Sequence, residues 1–219
     1  MKFLDVPQSG SEAGTTSSRN RFGQYRRSRA IPVNPGSSAQ GVVRSRMAAN
    51  AAAWRTLTSN QRAGWGSLGD QISRTDALGQ AYTLNGFMAF CSVNNNLVAA
   101  GSAVLTDAPA LATPAALLTA TLTGTAATLS LAYTTTPLGA GVKLHVYASP
   151  QRSAGRNYEG DYRLIHTSAA AAASPANIFS AYQAKFGTPV VGNKIFVSAV
   201  TSVGGFHSGP CVANVVVTA

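Results

Sequence analysis

The chain has 219 residues and a formal charge of +10; it is 45% hydrophobic and only 11% charged. That length fits one large domain or two small ones, and the apolar fraction excludes a wholly disordered chain. The most apolar runs, such as 97–104 and 169–173, are far shorter than the ~20 residues of a membrane span.

Charged residues fall well below the ~25% of an average domain. The surface must therefore be largely Ser, Thr, Asn, Gln, Ala and Gly, which suits tight assemblies where neighbours replace water. The charge is uneven. Residues 1–80 carry Lys2 and ten arginines against Asp5, Glu12, Asp70 and Asp76, a net +7, whereas residues 81–219 net +3. A basic end implies an anionic partner, either nucleic acid or an acidic protein surface. Thirteen of the 17 basic residues are arginine. Arginine pairs bidentately with carboxylates and phosphates at buried contacts, which favours docking over mere solubility. The two cysteines, Cys91 and Cys211, are too few and too distant for a disulfide framework. They read as buried free thiols, with a bridge as the alternative. The opening MKFLDVPQSG has no apolar run of signal-peptide type, so use without export is expected.

Residues 1–34 read as an extended basic arm. GSEAGTTSSRNR cannot bury enough surface to offset its ordering entropy, so order is expected only against a partner. Arg19, Arg21, Phe22, Tyr25, Arg26, Arg27 and Arg29 are the candidate docking residues. Pro32 and Pro35 force the residues before them into extended geometry and stiffen the exit.

Residues 35–104 read as a helical anchor of about three helices. Ser37 or Ser38 caps the first. Val43, Met47, Ala51, Trp54 and Leu57 recur at helical spacing as one stripe. Thr58 or Ser59 caps a second, shorter helix with Gln61, Arg62 and Trp65, which is expected to stop near Gly69. Val43, Met47, Trp54, Leu57 and Trp65 are the candidate helix-packing residues, with both tryptophans where the helices cross. Asn85 caps a third helix from about Gly86 to Ala99, with Phe87, Phe90, Val93 or Asn94, and Leu97 facing inward. The run 94–96 reads as a solvated or partner-facing turn.

Residues 105–116 form a Pro/Ala linker, and residues 117–219 read as β-structure. Leu118, Ala120 and Leu122 alternate with polar residues, as do Ala127, Leu129 and Leu131; two further strands centre on Leu144 and Leu164. Within 173–187 one helix is expected, capped by Ser174 with Pro175 in its first position and Gly187 after its end. Two more strands close the chain. Some six short strands over about 110 residues predict an antiparallel sandwich of immunoglobulin or fibronectin type, making the whole chain α+β.

No reactive constellation stands out. His145 and His166 fall in strand patterns and His207 beside a Gly-rich turn. No HxxxH, CxxC or HExxH spacing points to a metal, and no GxSxG, Walker-type or GxGxxG loop is present. Glu159 and Asp161 are the one close carboxylate pair, at what reads as a solvated hairpin tip, whereas sugar hydrolysis needs two positioned carboxylates. A non-enzyme without cofactor or metal is expected. The arginine cluster 19–29 fits a docking arm on acidic protein, a solvated tail or a phosphate-binding arm. The last would make binding steeply salt-dependent.

FGQYRRSRAIPVNP, then Gln40 ahead of Arg44, then AAWRTLTSNQRAGW, DALGQAYTLNGFMAF and VNNNLVAAG occur in order between Arg21 and about Gly101. Together this stretch resembles a family of virion proteins of tailed double-stranded DNA phages and prophages. The resemblance covers about 80 residues and implies a structural protein without catalytic residues. The resemblance leaves capsid, head–tail junction and tail open; with the basic arm, the Pro-bounded exit and no visible active site, a capsid decoration or cement protein docked by its arm and helices, assembled into the virion in the host cytoplasm, is expected. Its partners would be the major capsid protein or other virion proteins, and it would form a homo-oligomer within the particle, without a membrane. A head–tail connector, a tail protein or a DNA-contacting head protein is the alternative.

Overall fold

The structure is a computed structural model describing residues 8–219. It is a mixed α+β chain, with four helices and several antiparallel sheets among the described residues. It divides into two units. The first comprises the described residues up to Asn95 together with Val104–Ala110; the second comprises Asn96–Ala103 and Leu111–Ala219.

The first unit opens with three strands, β1 (Gly10–Glu12), β2 (Thr15–Asn20) and β3 (Gly23–Ser28). They form an antiparallel meander in the order β1-β2-β3, with Ser17 opposite Arg26 and Ser18 opposite Tyr25. This corrects the expectation of an unpaired arm; the first seven residues of that arm lie outside the described residues. The physical reason is local. Asn20 Oδ1 accepts the Phe22 N–H at 2.9 Å, and Gly23 takes a positive φ, so the chain reverses and its Thr- and Tyr-bearing flanks pair. Residues 29–37 then run without a strand partner.

Helices α1 (Ser38–Thr56) and α2 (Ser59–Gln71) each start on a capping box. The Ser37 hydroxyl accepts from the Gln40 N–H while the Gln40 side chain accepts from the Ser37 N–H, and Thr58 and Gln61 repeat the arrangement. A short hairpin of β4 (Ser73–Thr75) and β5 (Ala81–Thr83) leads to α3 (Gly86–Ala99). The Asn85 side chain caps α3 by accepting the Met88 N–H at 2.8 Å. Helix α2 ends at Gln71, two residues past Gly69. That glycine is a packing position: a Cβ there would collide with the Leu84 carbonyl, and one on Gly86 would lie 3.0 Å from the Gly66 nitrogen. Trp65 and Phe90, both fully buried, pack edge to face at 5.2 Å, and Trp54 leans on Phe87 and Phe90.

The second unit holds β6 (Thr119–Gly124), β7 (Leu129–Thr134), β8 (Lys143–Ala148), β9 (Arg152–Ser153), β10 (Arg163–Thr167) and β11 (Ala176–Asn177). After α4 (Phe179–Phe186) come β12 (Asn193–Val203), β13 (Phe206–His207) and β14 (Cys211–Val216). One sheet is ordered β11-β7-β6. In the other, β12 pairs with β8 on one side and with β14 on the other, and it also takes up β9 and β13. Leu122, Leu129 and Leu131 from the first sheet and Leu144, Val146, Ile195 and Val197 from the second enter one core, closed by Ile178 and Tyr182.

Helix α4 begins at Phe179, later than the Ser174–Pro175 start that the cap signal predicts. The Ser174 hydroxyl oxygen instead accepts from the Tyr133 N–H, and Ala176–Asn177 pair with β7, so that backbone is committed to the sheet before the helix can begin. The 105–116 linker is also not free. The Trp65 indole donates to the Thr106 carbonyl at 2.8 Å and Gln61 donates to Asp107, whereas Ala115 accepts from the Thr201 hydroxyl at 2.7 Å.

Candidate interaction surface

Every basic residue from 13 to 69 is an arginine, nine in all, and no aspartate or glutamate occurs among these 57 residues. The ion pairs among the described residues lie elsewhere, joining Arg152, Arg156 and Arg163 to Glu159 and Asp161. By sequence the first unit therefore carries a surplus of positive charge.

The meander places the arm residues individually. Arg19 donates to the Leu78 carbonyl at 3.0 Å and Arg26 to the Gln8 side chain at 2.6 Å. The Arg21 guanidinium lies 4.6 Å from the centre of the exposed Phe22 ring. Tyr25 is half-buried, and the exposed Arg27 stands opposite Thr16. The exposed Arg29 gives its backbone N–H to Gly14, which closes the sheet. Arg19, Arg21 and Gly23 line one side of a shallow depression of about 660 Å3, with Asp76, Leu78 and Gly79 on the other. The Asp76 carboxylate there is already used, accepting the Leu78 and Gln80 N–H groups.

The helix-packing candidates separate into two groups. Trp65 and Leu57 are buried, and Trp54 is half-buried against the two phenylalanines. Val43 and Met47 are the exposed members, at 57% and 39%. The stripe is continuous along α1, but its cover ends. Asn95 marks the limit, accepting from Asn50 at 3.0 Å and donating to Met47 Sδ at 2.9 Å. From Ser38 to Ala49 the helix is exposed nearly all round.

Residues outside the sequence-predicted set complete this surface. Arg44 donates to Asn34 Oδ1 at 3.1 Å, which holds the segment before α1 beside the helix. Ile31 and Val33 on that segment are 83% and 89% exposed. The acid-free run was the available signal for it; the spacing of apolar residues was not, because spacing does not say where a neighbour ends.

Asn94 and Asn95 do not form a solvated turn but lie inside α3, in bonds to Leu105, Asn50 and Met47. In the second unit Asn96 donates to the Gly205 carbonyl at 2.7 Å.

Other chemistry is structural in form. Glu159 is not a solvated tip residue. Its side chain is 2% exposed and accepts from Arg152 Nε at 2.5 Å and from the Gly160 and Asp161 N–H groups at 2.9 Å. The Arg152 hydrogen bond, followed by the Asp161 N–H, lowers its pKa to about 2. His207 is half-buried and stacks on the buried His145 at 5.1 Å. Burial first, then the charges of His207 and Lys143, lowers His145 to about 4; burial also lowers His207. Lys143 itself donates to the Ala100 carbonyl and the Ser102 hydroxyl. Cys91 and Cys211 are both free thiols, and burial raises Cys91. Among the described residues no three His, Cys, Asp or Glu side chains gather in a metal-binding group, and no helix is long and apolar enough to cross a membrane.

No family model matches the chain, and no curated protein matches it. A solved structure described as a Fn3-like protein from Clostridium thermocellum is 19% identical, over 49% of this chain and 97% of that one, with a TM-score of 0.32. A score that low carries no argument about what this chain does.

Proposed function

We propose that the protein is a structural subunit of a tailed double-stranded DNA phage virion: a capsid decoration or cement protein, with no catalytic role, that grips the shell through its first unit and carries the second as an immunoglobulin- or fibronectin-like sandwich. The observation that carries this reading is the 57-residue stretch with nine arginines and no carboxylate, whose folded surface also exposes Ile31, Val33, Val43 and Met47. Positive charge alone fits DNA or acidic protein. Exposed aliphatic side chains between the arginines fit protein, because a phosphate backbone gives them nothing to pack on. The two sheets sharing one core support the sandwich reading of the second unit. A contact of about 800 Å2 per partner is enough for stable association, and many copies on one shell multiply a modest pairwise affinity. The major capsid protein is the partner on this reading, and the virion is the location.

Binding of the purified chain to undecorated shells tests it. The parent should saturate, and the variant Arg21→Glu/Arg27→Glu/Arg29→Glu should lose binding at least tenfold. Equal binding by that variant rejects the grip. DNA contact is the second reading, favoured only by the charge. It requires an affinity for duplex that falls steeply between 50 and 200 mM salt, on the order of a thousandfold for six contacts.

A further inference from the structure

The uncovered half of α1 has a more definite occupant than "shell surface". We propose that Ser38–Ala49, with the pinned segment 31–34, seats an acidic amphipathic helix of the partner protein; this rests on the docking reading above. Ala39, Val43 and Met47 stand at intervals of four, and the same row continues as Asn50, Trp54 and Leu57 where α3 covers it. A row of that spacing is the ridge that a second helix packs against. In the covered half that second helix is α3, through Phe87, Phe90 and Asn95. In the uncovered half the ridge and its flank, Ala39, Gln40, Val43 and Arg44, form an open surface. Twelve residues give about 18 Å of helix, room for three turns of a partner. An isolated helix of that length is marginal in water, so a neighbour would stabilise it.

Charge decides between occupants. Helix α1 carries Arg44, Arg46 and Arg55 and no acid. A second copy of this chain would set arginine against arginine across the seam, which opposes association. Duplex DNA would leave Val43, Met47, Ile31 and Val33 in water. A helix with an apolar stripe flanked by glutamates satisfies both features at once, packing its stripe on the ridge and its carboxylates on Arg44 and Arg46.

Calorimetric titration of the full-length chain tests this with three probes: an 18-residue helical peptide with a leucine stripe flanked by glutamate, the same peptide with lysine for glutamate, and an 18-base-pair duplex. The glutamate peptide should bind saturably, and Val43→Ser/Met47→Ser should weaken it at least tenfold with unchanged far-ultraviolet circular dichroism. Equal binding by the lysine peptide, tighter binding of the duplex, no effect of the double variant, or self-association of the chain alone in sedimentation would each overturn the proposal. The shell assay separates this from the broader reading. Shell binding lost in the triple arginine variant but intact in Val43→Ser/Met47→Ser overturns the helix seat and keeps the docking. Peptide binding with no shell binding does the reverse.

Discussion

Asn94 holds Leu105 by both ends of its side-chain amide. Its Oδ1 accepts the Leu105 N–H at 2.8 Å and its Nδ2 donates to the Leu105 carbonyl at 3.1 Å, with Asn94 fully buried. The side chain imitates a strand neighbour, so a segment with no sheet partner still has its backbone satisfied. Asn94→Ala leaves both Leu105 groups without that partner and should cost about 2–3 kcal/mol. Asn94→Asp keeps the shape but cannot donate, and buries a charge, so it should be at least as damaging. Urea midpoints of the three proteins check this.

Helix α2 carries three glycines that the same substitution should separate. Gly69→Ala forces a methyl into the Leu84 carbonyl, a backbone atom that cannot rotate away, and should cost about 2 kcal/mol or more. Gly64→Ala meets only the Ala108 methyl at 3.8 Å, an ordinary contact, and should stabilise by about 0.5–1 kcal/mol through helix propensity. Gly66 has open space for its own Cβ, yet its nitrogen limits Gly86, so Gly86→Ala should be the damaging member of that pair. Thermal melts of the variants give the order.

The acid limb of stability should have two parts with different owners. His145 is lowered from 6.5 to about 4 in the fold, so the unfolded chain binds its proton first. Its share of stability is complete above pH 6.5 and is lost as pH falls towards 4, about 2 kcal/mol at pH 4.5. The groups facing it are His207, Lys143 and the Thr167 hydroxyl, and His207 titrates in the same direction. Glu159 is lowered from 4.5 to about 2, so its share is complete above pH 4.5 and is lost towards pH 2. His145→Asn should flatten the slope of the denaturation midpoint between pH 6.5 and 4. Glu159→Gln should leave that slope and flatten the one below 4.5, while lowering stability at pH 7. A single shared slope unaffected by either change would contradict both assignments.

The two halves of the α1 stripe should respond differently to truncation. Val43→Ser/Met47→Ser should change stability by no more than about 1 kcal/mol, because Val43 is mostly in water and Met47 lies at the edge of the α3 cover. Leu57→Ala, at 6% exposure, should cost about 2–4 kcal/mol. Denaturant titrations of the two variants in the isolated protein measure the difference. A large loss in the double variant would mean that α1 is covered along its whole length.

The sequence by itself determined what depends on neighbours a few residues away. Ser37 with Gln40 and Thr58 with Gln61 set two helix starts, Asn85 set a third, and the alternation around Leu122, Leu131 and Leu144 set strands, because caps and pleats are local geometry. Tertiary structure decided which side chains are covered. The same period that carries Leu57 into the core leaves Val43 in water, since burial depends on how far α3 reaches and not on spacing. It also decided that Gly69 admits a backbone crossing, that Glu159 is enclosed by arginine and backbone N–H groups, and that residues 176–177 join a sheet ahead of α4. Each of these sets a group against an atom distant in the chain or enclosed only by the finished fold, and a one-dimensional pattern holds no record of that distance.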